Sequence, residues 1–382
     1  MGRVVVTVTV VVALLAGCGG GEGEDDDVTG DDPGGPPTGL PVAFAGGEDG
    51  WPTLLATSDL LVGKGRRGEG DPSDLGQVVD LATGETWGLG RPETDPPFSP
   101  GASVALDDEL VVTGHICPPG SMSSDAVDPC TNLATYRVDP RRATWTAVAP
   151  PAGTDFAWNL YATPDGAVGL FRSPTSNVSV LARLGPDGWE VIGPATDGSP
   201  QCATATELFS VVDGWSDSDR NLTATAFADG SSRPVPLPEL GAAPVGLACG
   251  REALVITGSD AEEGALVARL VDGERWEEVP GVVPPEGRHL VARSLSGELA
   301  VVGLMEIAGD PADPGPIVAT AIRADGSTAP LDDVDLFDTE LVPRGVDGPF
   351  LALGPLHEEP EPGVDEPPPV DPVPLLLLPA LA

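Results

Sequence analysis

The sequence predicts an all-β protein built from a repeated unit of short strands. Runs of valine, leucine, alanine and threonine alternate with turn residues along most of the 382-residue chain, which is the pattern of strands joined by hairpins. The chain contains 50 glycines and 43 prolines, so few windows keep the apolar spacing of a long helix. Apolar residues make up 41% of the chain, which is enough for a core.

The repeated unit is clearest between Asp107 and Pro151. Three apolar runs lie in this segment between polar turns, and they are Leu110–Val112, Leu133–Val138 and Ala143–Val148. A further run that begins at Ser103 precedes them and completes a set of four. Each run has the length of a strand and is too short for a helix.

Looser copies of this unit follow one another along the chain. Each unit is predicted to consist of a first and a second hairpin. Seven first hairpins, with turns 42 to 57 residues apart, are predicted at Thr53–Val62, Ser103–Val112, Asn159–Leu170, Gln201–Val212, Val245–Thr257, Leu290–Val302 and Leu341–Leu353. Six second hairpins follow them, and four of these turn at Asp-Gly, a strong hairpin signal. The last strand of four units carries a tryptophan, at Trp87, Trp145, Trp189 and Trp276. Four strands per unit at this period predict a β-propeller of about seven four-stranded blades, with six as the alternative.

The units between residues 41 and 355 resemble the blades of kelch-type propellers. The resemblance lies in an apolar strand that ends in glycine, then a strand that ends in aspartate, a turn and a tryptophan. Kelch strands usually close with paired glycines, whereas single glycines stand here at Gly63, Gly114 and Gly258. The resemblance implies packing roles for the four tryptophans.

The ends of the predicted propeller domain, residues 40–357, suggest how it closes. The seventh unit lacks a second hairpin, and Pro41–Ala45 is a spare strand that we expect to complete the last blade. Such closure removes exposed strand edges. Residues 358–382 are acidic and rich in proline, so we expect a disordered tail, in which the run Leu375–Leu378 has no assigned role.

The N-terminus has the pattern of an export signal. Val4–Ala16 is apolar over 13 residues, which suits a signal-peptide core and is too short to span a bilayer. It ends in Leu15-Ala16-Gly17-Cys18, which resembles the lipobox of bacterial lipoproteins. The resemblance implies that residues 1–17 are removed and that Cys18 carries the acyl chains. Its n-region holds a single arginine, and an ordinary cleaved signal with a stray cysteine is the alternative.

Residues 18–39 are predicted to be a disordered acidic tether. The segment is rich in glycine, proline, aspartate and glutamate, a composition that cannot bury a core. With the lipid on Cys18, it would hold the domain at the extracytoplasmic face of a bacterial cell membrane.

The other four cysteines suit an exported protein with disulfides. Cys117 and Cys130 flank one loop of the second unit, and we expect them to pair. Cys202 and Cys249 lie in first hairpins of neighbouring units, and we expect a second bridge there. A cysteine-ligated metal site is the alternative, although no Cys-x-x-Cys or Cys/His spacing supports it.

The net charge of −41 excludes nucleic acid and anionic lipid headgroups as partners bound by charge. Solubility is the main interpretation of this charge, and specific cation binding is the alternative. Asp217, Asp219 and Asn221 alternate like the first ligands of a calcium loop. Leu222 and Ala228 stand where its glycine and glutamate belong, so we expect a solvated loop there.

No catalytic, metal or cofactor residues are predicted. His115, His289 and His357 are dispersed, and we expect them to be solvated loop residues. Gly84-Glu85-Thr86-Trp87 matches half of a sialidase Asp-box, but Asp80 and Ala82 stand where its serine and aspartate belong. The two tyrosines lie in predicted strands, which disfavours sialidase or copper-oxidase chemistry.

The leading hypothesis is a monomeric binding or scaffold module for a cell-envelope protein or glycan. Propellers carry function on inter-strand loops, and the longest here are Gly63–Asp74, His115–Asn132 and Glu306–Pro316. A propeller glycoside hydrolase or lyase that acts on extracellular glycans is the alternative.

Overall fold

The structure is a computed structural model of the chain. It describes residues 40–42, 53–64, 75–116, 132–174, 179–194, 198–212, 221–236, 244–249, 253–257, 266–280, 282, 288–293, 299–306, 317–323, 325–335, 340–343, 350–353 and 373–377. All described residues lie within the unit Pro37–Ala382.

The described residues form antiparallel sheets of four strands, and the first four sheets follow chain order. Sheet 1 contains β2 (Thr53–Ala56), β3 (Leu60–Lys64), β4 (Gln77–Asp80) and β5 (Thr86–Gly88). Sheet 2 contains β6 (Phe98–Ala105), β7 (Leu110–Ile116), β8 (Leu133–Asp139) and β9 (Thr144–Val148). Sheet 3 contains β10 (Phe156–Thr163), β11 (Gly166–Arg172), β12 (Ser179–Gly185) and β13 (Gly188–Pro194). Sheet 4 contains β14 (Ser199–Ala203), β15 (Glu207–Val212), β16 (Asn221–Ala226) and β17 (Ser232–Val235).

Two further sheets continue the pattern. Sheet 5 contains β18 (Pro244–Cys249), β19 (Ala253–Thr257), β20 (Leu266–Val271) and β21 (Arg275–Glu278). Sheet 6 contains β22 (Arg288–Arg293), β23 (Leu299–Glu306), β24 (Ile317–Arg323) and β25 (Thr328–Asp335). The all-β prediction is confirmed, and each predicted hairpin of these units matches a pair of adjacent strands.

Sheet 7 joins both ends of the domain. Its order is β1 (Leu40–Val42), β28 (Val373–Leu377), β27 (Phe350–Leu353) and β26 (Glu340–Pro343). The N-terminal strand therefore enters the last sheet, as predicted, but its neighbour there is the unexpected strand β28. Val373–Leu377 lies within residues 358–382, for which a disordered tail was predicted. The apolar run has a role there because it fills the place between β27 and β1.

The first strands of the sheets lie beside one another. β2 contacts β6, β6 contacts β10, β14 contacts β18 and β18 contacts β22. β2 also contacts β26, which joins sheet 1 to sheet 7. Apolar clusters fill the spaces between neighbouring sheets, and one of them runs from Leu60 in sheet 1 to Tyr136 in sheet 2. Burial between sheet faces is thus the main stabilising contribution to the fold.

Three of the four matched tryptophans form hydrogen bonds to a neighbouring sheet or to the segment that follows it. The indole Nε1 of Trp87 donates to the Pro140 carbonyl at 2.8 Å, and that of Trp145 donates to the Leu89 carbonyl at 3.1 Å. Trp276 donates likewise from sheet 5 to Pro236, which follows sheet 4. These partly buried indoles keep apolar area against the core and satisfy their N–H groups in this way.

Arginines make a second set of connections that the sequence analysis missed. Arg137 donates to the Gly185 carbonyl at 3.0 Å, from sheet 2 to the hairpin turn of sheet 3. Arg183 donates to the Phe227 carbonyl, and Arg233 donates to the Gly273 carbonyl, each in the next sheet. These charged donors stabilise the contact between successive sheets at the ends of their outer hairpins.

Candidate binding site

The predicted long loops leave equivalent positions of their sheets. The segments Gly63–Asp74, His115–Asn132 and Glu306–Pro316 each connect the second strand of a sheet to the third. In an antiparallel sheet, the second strand ends beside the start of the first strand. The connection to the third strand therefore leaves the sheet at the end where the first strand begins. We call it the loop end. Most residues of these three connections lie outside the described part of the chain.

Trp158 is exposed near the loop end of sheet 3. It lies in β10, where the pairing with β11 passes from Ala157 directly to Asn159 and leaves Trp158 as the extra residue of a bulge. A bulge changes the direction in which a side chain points. The Trp158 side chain is 48% exposed, although an indole usually buries most of its area. Its position makes an aromatic surface available to a partner.

Phe156 packs against the indole of Trp158. Its ring packs edge-to-face against Trp158 with 4.9 Å between centroids. The other contacts of Phe156 are a stacked His115 ring at 5.6 Å and the Arg172 guanidinium carbon at 5.5 Å from its centroid. Aromatic and cation–π contacts of this kind fix ring orientation. Trp158 therefore lies on a prearranged support.

An ion pair holds the arginine of this cluster. Arg172 donates from Nε to Asp155 Oδ1 at 3.1 Å and from an Nη to Oδ2 at 2.9 Å. The Asp155 side chain is buried, whereas that of Arg172 is 41% exposed. The hydrogen bond to Asp155 raises the pKa of Arg172 above its usual value. The guanidinium is thus fixed at the edge of the aromatic surface.

His115 has a different environment from the one expected. It was predicted to be a solvated loop residue, but it lies in β7 and is 4% exposed. Its Nε2 lies 2.9 Å from the Asp155 carbonyl oxygen, so the hydrogen bond places the N–H on Nε2. The histidine connects the loop end of sheet 2 to the start of β10. Of the other histidines, His289 lies in β22 and His357 is outside the described residues.

Asp80, the acidic residue next to the partial Asp-box, stabilises the turn that follows β4. Its Oδ1 accepts from the backbone N–H groups of Ala82 and Thr83, both at 2.9 Å. Its Oδ2 lies 3.4 Å from Arg141 of sheet 2. Burial alone would raise the pKa of Asp80, but these hydrogen bonds and the arginine hold it below the usual value. Its role is structural.

One of the two predicted disulfides lies within the described residues. Cys202 and Cys249 are bonded, with 2.06 Å between sulfurs and 5.6 Å between Cα atoms. The bond joins β14 to β18, which are first strands of neighbouring sheets. Cys18, Cys117 and Cys130 lie outside the described residues, as does most of the predicted solvated loop from Asp213 to Asn221. The described residues contain no group of three or more potential metal ligands.

The bulge at Trp158 was missed because the predicted hairpin began one residue later, at Asn159. A bulge belongs to the pairing of two strands, so the sequence of one strand does not specify it. A signal was nevertheless present. Phe156 and Trp158 are two large aromatic residues at a spacing of two, and large aromatic residues are favoured in strands.

No protein-family model matches the chain, and no curated protein is similar to it in sequence. An oligogalacturonate lyase in complex with manganese has a similar structure, with a TM-score of 0.50 and 14% identity, over 89% of this chain and 97% of the lyase chain. At this identity the likeness shows the fold alone. Together with the four-stranded sheets it supports a β-propeller.

Two further structures have lower scores. Dipeptidyl peptidase 4 of Porphyromonas gingivalis has a TM-score of 0.44 and 11% identity, over 78% of this chain and 50% of the peptidase. A puromycin hydrolase mutant has a TM-score of 0.47 and 15% identity, over 80% of this chain and 50% of the hydrolase. The chain spans about half the length of these enzymes.

Among the residues that the structure describes, no helix is long and apolar enough to cross a bilayer.

Proposed function

We propose that the protein is a lipid-anchored, extracytoplasmic β-propeller that binds a cell-envelope protein or glycan. The observation that carries the proposal is Trp158, which is 48% exposed on a bulged strand and packs against Phe156. The Phe156 ring in turn contacts the Arg172 guanidinium. Tryptophan and arginine are enriched where binding energy concentrates. A prearranged aromatic surface also loses little conformational entropy on binding.

The propeller is proposed to have seven blades. Seven four-stranded sheets lie within the described residues, and β2 of the first sheet contacts β26 of the last. Strands from both ends of the domain complete sheet 7. Each of these features is expected of a ring that leaves no open edge.

The anchor is proposed on the lipobox-like sequence that ends in Cys18. Two or three acyl chains hold a protein at a membrane where a single chain would not. The acidic segment that follows would keep the propeller clear of the bilayer and leave its loop ends accessible.

Affinity capture from solubilised membranes tests this function. The full-length chain, Trp158→Ala and Val191→Ala are expressed with a C-terminal affinity tag in the same bacterial host. Val191 is the matched control because it is also 48% exposed, on the fourth strand β13. We expect the wild type and Val191→Ala to retain a stoichiometric protein or a glycan, and Trp158→Ala to lose most of it.

Equal capture by all three proteins would contradict a binding role for Trp158. Cleavage of a retained glycan would favour the hydrolase or lyase alternative. The same membranes test the anchor: Cys18→Ala is expected in the soluble fraction, and its persistence in the membrane fraction would refute lipid attachment at that residue.

A further inference from the structure

The first strands of sheets 1 to 5 are uncharged, although the chain as a whole is very acidic. The chain carries 60 acidic and 19 basic residues, yet the first strands of sheets 1 to 5 contain no charged residue. These strands are β2, β6, β10, β14 and β18. In sheets 6 and 7 the first strands carry Arg288, Arg293 and Glu340. The uncharged first strands, which we call the strip, thus occur in five sheets of a very acidic protein. Within the strip, β2 contacts β6, β6 contacts β10, and β14 contacts β18.

Bulges expose side chains along this strip. The pairing of the first strand shifts at a bulge in each of sheets 2, 3, 4 and 5. The exposed residues among the described side chains of the five strands are Gly101, Trp158, Asn159, Ser199 and Gln201. Apart from the indole, they offer amides, a hydroxyl and a glycine. Amide groups both donate and accept hydrogen bonds, and a hydroxyl does the same.

Among the described residues, the charged side chains of the Trp158 cluster are Arg172 and Asp155, and they form an ion pair. Arg172 is bound by both oxygens of Asp155, so the pair adds no net charge to the surface. A charged ligand would lose hydration against this strip without gaining a counter-charge. The acidic body would also repel a polyanion before contact. A basic protein would be attracted by the body but would find no acidic partner on the strip.

We propose that the strip binds a neutral glycan at Trp158, with one sugar ring stacked on the indole and neighbouring hydroxyls bonded by Asn159 and Arg172. This inference rests on the proposed binding function and names its ligand class. The apolar face of a sugar ring matches the exposed indole, whose polar N–H lies at its rim. Sugar hydroxyls match groups that both donate and accept. The ligand is a hydroxyl-rich polymer without charge.

Affinity electrophoresis of the full-length chain in neutral detergent tests the ligand class. The gels contain dextran, laminarin, galactomannan or N-acetylglucosamine oligomers, with polygalacturonate and chitosan as charged comparisons. We expect at least one neutral glycan to retard the wild type and Val191→Ala. Trp158→Ala is expected to bind that glycan about tenfold more weakly, as for the loss of a central aromatic contact. Asn159→Ala is expected to show a smaller loss.

Thermal melting of each variant separates loss of binding from loss of folding. Retardation by the charged polymers alone, or by none of the six, would overturn the glycan inference. If Trp158-dependent capture of a protein persisted in that case, the proposed function would stand without its glycan. If Trp158→Ala changed neither the electrophoresis nor the membrane capture, both proposals would fail.

Discussion

At the scale of the residue, a single inserted position decides what Trp158 does. With regular pairing, successive side chains of β10 would point to opposite faces of the sheet. The bulge between Ala157 and Asn159 interrupts that alternation. Phe156 then packs against the indole, and His115 and Arg172 contact the Phe156 ring. None of these contacts joins residues that are close in sequence except Phe156 and Trp158, so the sequence predicted the strand without predicting the site.

Asp80 provides a test of pH dependence at this scale. Its pKa in the folded protein is held below the ordinary 3.8, so the ionised form stabilises the fold. That stabilisation is complete above the unfolded pKa and is lost as the pH falls through the lower folded value. We expect Asp80→Asn to melt about 2–4 °C lower at pH 7, as for the loss of about 1 kcal/mol.

Thermal melts between pH 2.5 and 7 measure this difference. The curves of Asp80→Asn and the wild type should converge as the pH falls below about 3.8. Asp165→Asn, at an exposed turn of sheet 3, is the control and should follow the wild type. A constant gap between Asp80→Asn and the wild type over the whole range would contradict the assigned pKa direction.

At the scale of the element, hairpins could be predicted from the sequence, whereas the pairing of strands that are distant in the sequence was predicted only in part. Asp-Gly turns and apolar runs are local signals, and they predicted β12–β13 and β20–β21 correctly. Gly188 and Gly273 have positive φ in those turns, which glycine adopts without a steric penalty. Strand β28 was missed because Val373–Leu377 lies in a proline-rich segment and is a strand only through its pairing with β27 and β1.

The disulfide between β14 and β18 connects two such elements. Cys202 and Cys249 are 47 residues apart, a loop for which the chain-entropy model gives about 4 kcal/mol of stabilisation. Both are buried in the apolar cluster between sheets 4 and 5. We expect Cys202→Ala, Cys249→Ala and the double variant to lose stability by about this amount in guanidinium unfolding.

Non-additivity is the decisive feature of that experiment. Each single variant breaks the same bond, so the double variant should be only slightly less stable than either one. The predicted Cys117–Cys130 bond is left intact in all three proteins. Losses that add up, or a wild type whose Cys202 and Cys249 react with a thiol reagent after denaturation without reductant, would exclude the bond.

At the scale of the whole molecule, the proposed ring depends on closure. Strand β2 contacts β6 of the next sheet and β26 of the last sheet, so sheet 1 lies beside both sheet 2 and sheet 7. Sheet 7 makes this possible by joining residues from the two ends of the domain, with Pro41 opposite Pro374. The sequence predicted that an N-terminal strand would complete the last blade, but the C-terminal strand that receives it depends on a contact across the entire domain.

A designed cross-link between residues 41 and 374 tests the closed propeller most directly. Opposite residues of an antiparallel pair are close enough for a disulfide. We expect Pro41→Cys/Pro374→Cys to form that bond under oxidising conditions and peptide mass spectrometry to recover the linked peptides. Pro41→Cys/Pro343→Cys is the control, because Pro343 lies on β26, three strands from β1. Free thiols at 41 and 374 in the folded double variant, or equal linkage in the control, would contradict closure by the two ends.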